Sequence, residues 1–146
     1  MLLLLFLLSA VISQPAEIQT VCFGETCFHA ELAVSNESQL KGLMYRELLP
    51  DAHAMLFIYD KEIRPVMYMK NMKFSLDLIW LDRNRKIVSI AKNVPPCQSD
   101  PCPLYRPEGS AMYVLEVNAG VSDAIHLQRG DTARFMSSEE KSVQKL

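Results

Sequence analysis

Leu76-Asp77-Leu78-Ile79-Trp80-Leu81, then Asp82-Arg83-Asn84-Arg85, then Ile87 to Val94 read as strand, turn and strand. Trp80 shares a strand face with Leu76 and Leu78, which assigns it to the core. Upstream, Ala54 to Tyr59 and Val66 to Met69 are short apolar runs around the charged segment Asp60 to Arg64, the pattern of a second hairpin. Ile18 to Phe23 and Phe28 to Val34 alternate apolar and polar residues about a Gly24-Glu25 turn. Asn36 with Gln39 reads as a capping box, and Leu40, Leu43 and Met44 recur at helical spacing, so a short helix is expected to about Arg46, before Pro50-Asp51. Downstream, Pro95 to Gly109 is a proline-rich loop, Met112 to Val117 a strand, Ala119 to Leu127 a helix and Thr132 to Met136 a last strand. These elements predict an α+β fold: a mostly antiparallel, curled or barrel-like β-sheet with two short helices. One globular domain is expected over 18–136, with a polar tail over 137–146.

Composition narrows the function classes. Lys and Arg total 15 against 17 Asp and Glu, a net charge of −2, so no positive excess exists to neutralise a phosphate backbone and nucleic acid is not an expected partner. Apolar content is 49% with only 5 Gly and 8 Pro, which excludes collagen-like and disordered classes. Leu2 to Leu8 form an unbroken apolar run that continues to Ile12, well short of the roughly twenty residues a membrane span needs. Residues 1–13 therefore read as a signal peptide cut near Gln14, or a short membrane anchor if uncut, although no Lys or Arg precedes the apolar core. The expected location is exported: periplasmic, secreted or tethered to the membrane through this segment alone.

Four cysteines fall into two equally spaced pairs, Cys22 with Cys27 and Cys97 with Cys102. Export favours oxidation, and Gly24 and Asp100-Pro101 suit tight turns, so two local disulfides are expected. A four-cysteine zinc site is the rival, but structural zinc usually uses closer spacing. Neither pair has the two-residue spacer of a redox-active disulfide.

Several segments taken in order resemble one family, the bacterial and archaeal domain of unknown function 192. Gly42-Leu43-Met44-Tyr45-Arg46 with Leu49 resembles its Gly-Leu-Met-x-Arg helix end, and Met55-Leu56-Phe57 its next strand. Tyr68-Met69-Lys70-Asn71-Met72, running on to Leu76-Asp77, resembles its Trp-Met-Lys-Asn-Thr-x-x-Pro-Leu-Asp segment. Pro96-Cys97 with Cys102-Pro103-Leu104-Tyr105 matches a family loop, and Leu115-Glu116-Val117-Asn118-Ala119-Gly120 with Gly130-Asp131 the closing portion. The resemblance covers roughly residues 28 to 135. Ala54 stands where a Gly is usual, Tyr68 for Trp, Met72 for Thr and Ser75 for Pro, which would alter a pocket formed there. The resemblance implies a mostly β domain, often exported or tethered. It implies no activity, substrate or cofactor.

Asp77 and Glu116 each interrupt an apolar strand, and a buried carboxylate is costly unless paired or hydrogen-bonded. Lys70 and Arg46 are the expected partners. The functional reading is a polar cleft in which Arg46, Tyr68, Lys70, Asn71, Asp77 and Glu116 bind a small polar ligand such as a carbohydrate, or an envelope protein. The structural reading places Asp77 and Glu116 on a solvent face or in ion pairs. A hydrolase would use the two carboxylates as acid and base, at a spacing the sequence does not supply. No nucleophile elbow, His-Glu-x-x-His or phosphate loop is present, so no catalytic residue is assigned.

His29, His53 and His126 are widely separated along the chain and read as ordinary surface or core residues, so no metal ligand and no cofactor is assigned. Methionine is frequent, at eight, and Met67, Met69 and Met72 with Met44 and Met55 read as core filling or as a Cu(I)-binding thioether cluster. Tyr68 and Tyr105 are the better candidates for an aromatic rim.

Overall fold

The computed structural model describes residues 17–136 of the chain. The signal segment expected over 1–13 and the tail over 137–146 lie outside the described residues. Strands β1 (Ile18–Phe23) and β2 (Thr26–Ala33) are followed by helix α1 (Asn36–Lys41) and strand β3 (His53–Ile63). Then come β4 (Leu76–Leu81), β5 (Ile87–Val94), β6 (Ala111–Asn118), helix α2 (Val121–Ala124) and β7 (Arg134–Met136). The seven strands form one sheet of order β5-β4-β6-β3-β2-β1-β7.

The hairpins β1–β2 and β4–β5 form where the turn residues place them. Two expectations fail. Val66 to Met69 is not a strand paired back on β3; it touches Tyr105 through a single bridge at Met67. The sheet is mostly antiparallel as expected, but it has one parallel pair and its strand order does not close into a barrel. β2 and β3 run parallel, with His29 opposite His53 and Ala33 opposite Phe57, because the chain between them crosses over through α1. The edges meet around the isolated bridge Lys86 to Thr132, where the Ile87 and Ala133 N–H groups donate to the Asp131 and Arg85 carbonyls at 2.8 Å, without a β5–β7 ladder.

Both faces of the sheet are covered, which is why β4 is buried along its whole length. One face packs Val21, Phe28, Leu56, Ile79, Leu115 and Val117 against Leu127 and Ala133. The other packs Phe57, Leu78, Trp80 and Val114 against Leu43, Leu49, Met67 and Met69. Trp80 is core as expected, and its indole N–H donates to the Pro65 carbonyl at 3.0 Å, so a large apolar ring is buried without an orphaned donor.

The cap of α1 is Ser35, one residue earlier than expected. Its hydroxyl accepts from the Ser38 N–H at 3.1 Å, while the Ser38 hydroxyl accepts from the Ser35 N–H at 3.0 Å. Gln39 instead donates to the Ala33 and Ile58 carbonyls at 3.2 and 2.8 Å, tying the helix to the end of β2 and the middle of β3. The helix stops at Lys41 because Gly42 takes φ 47°. A Cβ there would also stand 3.3 Å from the Phe57 ring, so glycine lets the chain pass close over β3.

The cysteines bridge locally, Cys22 to Cys27 across the β1–β2 turn and Cys97 to Cys102 within the proline-rich loop. They are not gathered into one four-sulfur set. The second bridge has a neighbour that matters for the site: the Cys97 N–H donates to the Met69 carbonyl, and Met67 and Tyr105 exchange both backbone hydrogen bonds, each at 2.9 Å. The stapled loop thus holds segment 66–72 in place.

Candidate functional site

Over the second face of the sheet, α1 and the turn after it stand opposite segment 66–72. Between them is a cavity of about 370 Å³. Its floor is Phe57 and Tyr59 of β3 with Glu116 of β6, and its walls include Leu43, Met44, Met67, Tyr68 and Met72. Leu40 and Lys41, both exposed, stand at the α1 side.

Glu116 reaches the cavity because of strand parity. It pairs with Leu78 of β4 and Met55 of β3, so its side chain shares their face. It is 5% exposed, and no donor among the described residues hydrogen-bonds its carboxyl. Burial alone pushes that carboxyl up from 4.5 to about 8. At neutral pH it is therefore mainly an uncharged acid, able to donate one hydrogen bond and accept others. Burial first, and then the Glu116 charge, raise the Tyr59 phenol above its ordinary value.

Asp77 lies elsewhere. It pairs with Val117, one position along from the Leu78–Glu116 pair, and so points to the opposite face. Its carboxylate accepts from the backbone N–H groups of Asn93 (2.8 Å), Gly120 (3.2 Å) and Ser122 (2.8 Å). It is a clasp that ties the end of β5 and the start of α2 to β4. The carboxylate pair expected for a hydrolase is thus split by the sheet, and neither acid takes Lys70 or Arg46 as its partner.

Arg46 forms a two-pronged ion pair with Glu31 of β2 at 2.6 and 2.8 Å. The hydrogen bond to Arg46 lowers the Glu31 carboxyl, against opposing desolvation, and the same bond raises Arg46. Glu31 lies opposite Met55, two strands from Glu116, so this pair flanks the cavity without lining it. Lys70 reaches Asp100 at 3.4 Å on the surface, beside a shallower groove that it shares with Tyr68.

Asn71 is a fastener. In a left-handed conformation, as is Tyr45, it accepts from the Tyr45 N–H at 2.9 Å and donates through Nδ2 to the Tyr45 hydroxyl at 2.8 Å. The two walls of the cavity are joined there. Of the residues expected in one cleft, then, Tyr68 and Glu116 line the cavity, Asn71 joins its walls, and Arg46, Lys70 and Asp77 stand outside it.

Tyr59 was not among the expected residues; its place on the Phe57 side of β3 is the period-two signal that points to it. The methionine group divides. Met44, Met67 and Met72 face the cavity, whereas Met55 and Met69 are buried in the core. Histidines 29 and 53, distant in sequence, come side by side across the parallel β2–β3 pair with ring centroids 5.9 Å apart. Cys97, Cys102 and Asp100 also converge, but both sulfurs are spent in the disulfide.

Comparison with known proteins places this arrangement in a group without assigned chemistry. A "UPF0127 protein" of Thermococcus sibiricus is 32% identical over 108 residues, covering 72% of this chain and 64% of that one. Another from Thermococcus gammatolerans is 28% identical over 115 residues, covering 77% and 70%. The chain thus matches somewhat under two thirds of the length of the first of these relatives. Among solved structures, a Sinorhizobium meliloti protein described only as a candidate transcription regulator superposes with TM-score 0.76 and 26% identity, over 84% of this chain and 97% of that one. A Novosphingobium aromaticivorans protein of unknown function gives TM-score 0.73 and 28% identity, over 85% and 88%. The family model DUF192, "Uncharacterized ACR, COG1430", matches residues 19–135, which carry the whole sheet except the outer residue at each end, and the chain belongs to that family.

Proposed function

We propose that the protein is an exported binding domain that takes up a small organic molecule in the cavity above Glu116. The observation that carries this reading is a buried carboxyl, with no hydrogen-bond partner among the described residues, on the floor of a space of about 370 Å³. Leaving such a group unpaired costs free energy that packing an apolar residue would avoid. The volume suits a small organic ligand, and few convergent polar groups among apolar walls are typical of such sites. Export is supported by the two disulfides and the apolar N-terminal run, with a periplasmic, secreted or membrane-tethered location.

Of the two lining amides, Gln39 is not free to meet a carbohydrate, because both its amide protons are already spent on the Ala33 and Ile58 carbonyls. Binding is favoured over hydrolysis, since Glu116 is the one carboxyl among the lining residues. A second reading rests on Met44, Met67 and Met72, whose thioethers suit Cu(I); the cavity is far larger than one ion needs. The net charge of −2 gives no support to carrying over the transcription-regulator description of the S. meliloti relative.

The test is a thermal-shift screen of the purified protein against small organic fragments and, anaerobically, Cu(I). A ligand at a hundred times its Kd stabilises the folded state by about 2.7 kcal/mol. Fragment hits that vanish in Met72→Trp, which fills the space, support the proposal. Hits that survive in that variant, or a screen in which only Cu(I) shifts the midpoint, contradict it.

A further inference from the structure

The cavity's polar features are unequal in kind. Among the lining residues, the one buried group without a hydrogen-bond partner among the described residues is an acid, Glu116, and two of the three nearby cations are committed. Arg46 is locked to Glu31 by two hydrogen bonds, Lys70 is paired with Asp100, and neither lines the cavity. Lys41, the one cation among the lining residues, is exposed in the last turn of α1. The walls offer the faces of Tyr59 and Tyr68 and the polarisable sulfurs of Met44, Met67 and Met72. Aromatic faces attract cations, and thioethers pack along alkyl chains without demanding a fixed geometry.

We infer that the ligand is an organic ammonium compound whose charged nitrogen meets the Glu116 carboxylate while its apolar stem lies along Tyr59, Tyr68 and the methionine side chains. The inference rests on the cavity being a binding site, and adds the ligand's chemical class. An anion would meet a second negative or hydroxyl-acid group at the floor. An alkylammonium supplies the missing counter-charge and three donors at one end, and apolar surface along the rest.

Free Glu116 holds its proton up to about pH 8, and the ammonium ligand keeps its own to well above that. Forming the ion pair therefore sends the Glu116 proton to solvent, one per ligand bound. The titratable groups facing this carboxyl are the phenols of Tyr59 and Tyr68 and, at the rim, Lys41; the neighbours across the strands, Leu78 and Met55, are apolar. The Arg46–Glu31 pair one strand further carries matched charges, with His53 of β3 close enough to act on Glu31.

The experiment is calorimetric titration of the purified protein with three probes of equal stem: n-hexylammonium, 1-hexanol and hexanoate. Hexylammonium is expected to bind best, with affinity rising about tenfold from pH 6 to pH 7 and levelling above pH 8, as the fraction of ionised Glu116 does. Near pH 6.5, titrations in two buffers of different ionisation enthalpy should report about one proton released per ligand. Glu116→Gln, which removes the charge but keeps the shape, should weaken hexylammonium at least tenfold and remove its pH dependence. Its thermal melt confirms that it folds.

Hexanol binding as tightly as hexylammonium, affinity that falls as pH rises, or an unchanged affinity in Glu116→Gln would overturn the inference and leave the cavity standing as a site for neutral ligands. If none of the three probes binds while other fragments do, the ammonium class is wrong and the site remains. If neither probes nor fragments bind, both readings fall.

Discussion

Replacing Glu116 by glutamine is expected to stabilise the protein by an amount that grows with pH. In the unfolded chain this carboxyl ionises near 4.5, and in the fold near 8. Below 4.5 both states hold the proton and the group contributes no pH dependence. Between 4.5 and 8 the unfolded chain releases its proton and the folded one keeps it, so stability falls by about 1.4 kcal/mol per pH unit. The loss reaches about 3 kcal/mol at pH 7 and about 5 kcal/mol at pH 9, where it levels off. Glutamine carries no proton to lose, so the difference between variant and wild type isolates this group from every other titration in the chain. Urea unfolding of both proteins at pH 4, 5.5, 7 and 8.5 measures it. A variant-minus-wild-type difference that does not change with pH would refute the reasoning, since it would mean that Glu116 ionises alike in the two states.

Asp77→Ala removes the acceptor of three backbone N–H groups and should cost about 4 kcal/mol in urea unfolding, yet leave probe affinity within twofold, because Asp77 lies across the sheet from the cavity; a loss under about 1 kcal/mol would contradict its role as a clasp. Removing either disulfide as a Cys→Ser pair should cost about 2 kcal/mol, the chain-entropy value for so short a loop. Only the Cys97–Cys102 pair should also weaken ligand binding, because only that loop is hydrogen-bonded to Met67 and Met69; equal effects on affinity from both pairs would contradict this.

The hairpins were legible because each joins adjacent strands through a turn with its own residue signature, as at Asp82-Arg83-Asn84-Arg85. The parallel β2–β3 pair was not. An alternating strand looks the same whichever direction its neighbour runs, and direction here follows from the crossover through α1. That one miss hid two others. Glu31 and Arg46 are brought together, and His29 and His53 set side by side, only once β2 and β3 are placed in register.

The carboxylates show a different limit. Both stood out as charges within apolar strands, but which face each takes is readable only where one face is wet. β4 is buried on both sides, so alternation in its composition is erased and the split between Asp77 and Glu116 comes from pairing register alone. Met67 is a similar case. Its short apolar run reads as a strand, but the stapled loop at Tyr105 holds it instead of β3.

The most direct measurement is a ¹³C NMR titration of the Glu116 side-chain carboxyl in the free protein, assigned by its loss in Glu116→Gln. A midpoint near 8 is expected for an acid buried without a partner. A midpoint near 4.5 would mean that water or a protein donor already satisfies Glu116, and the cavity would lose the group on which the binding proposal stands.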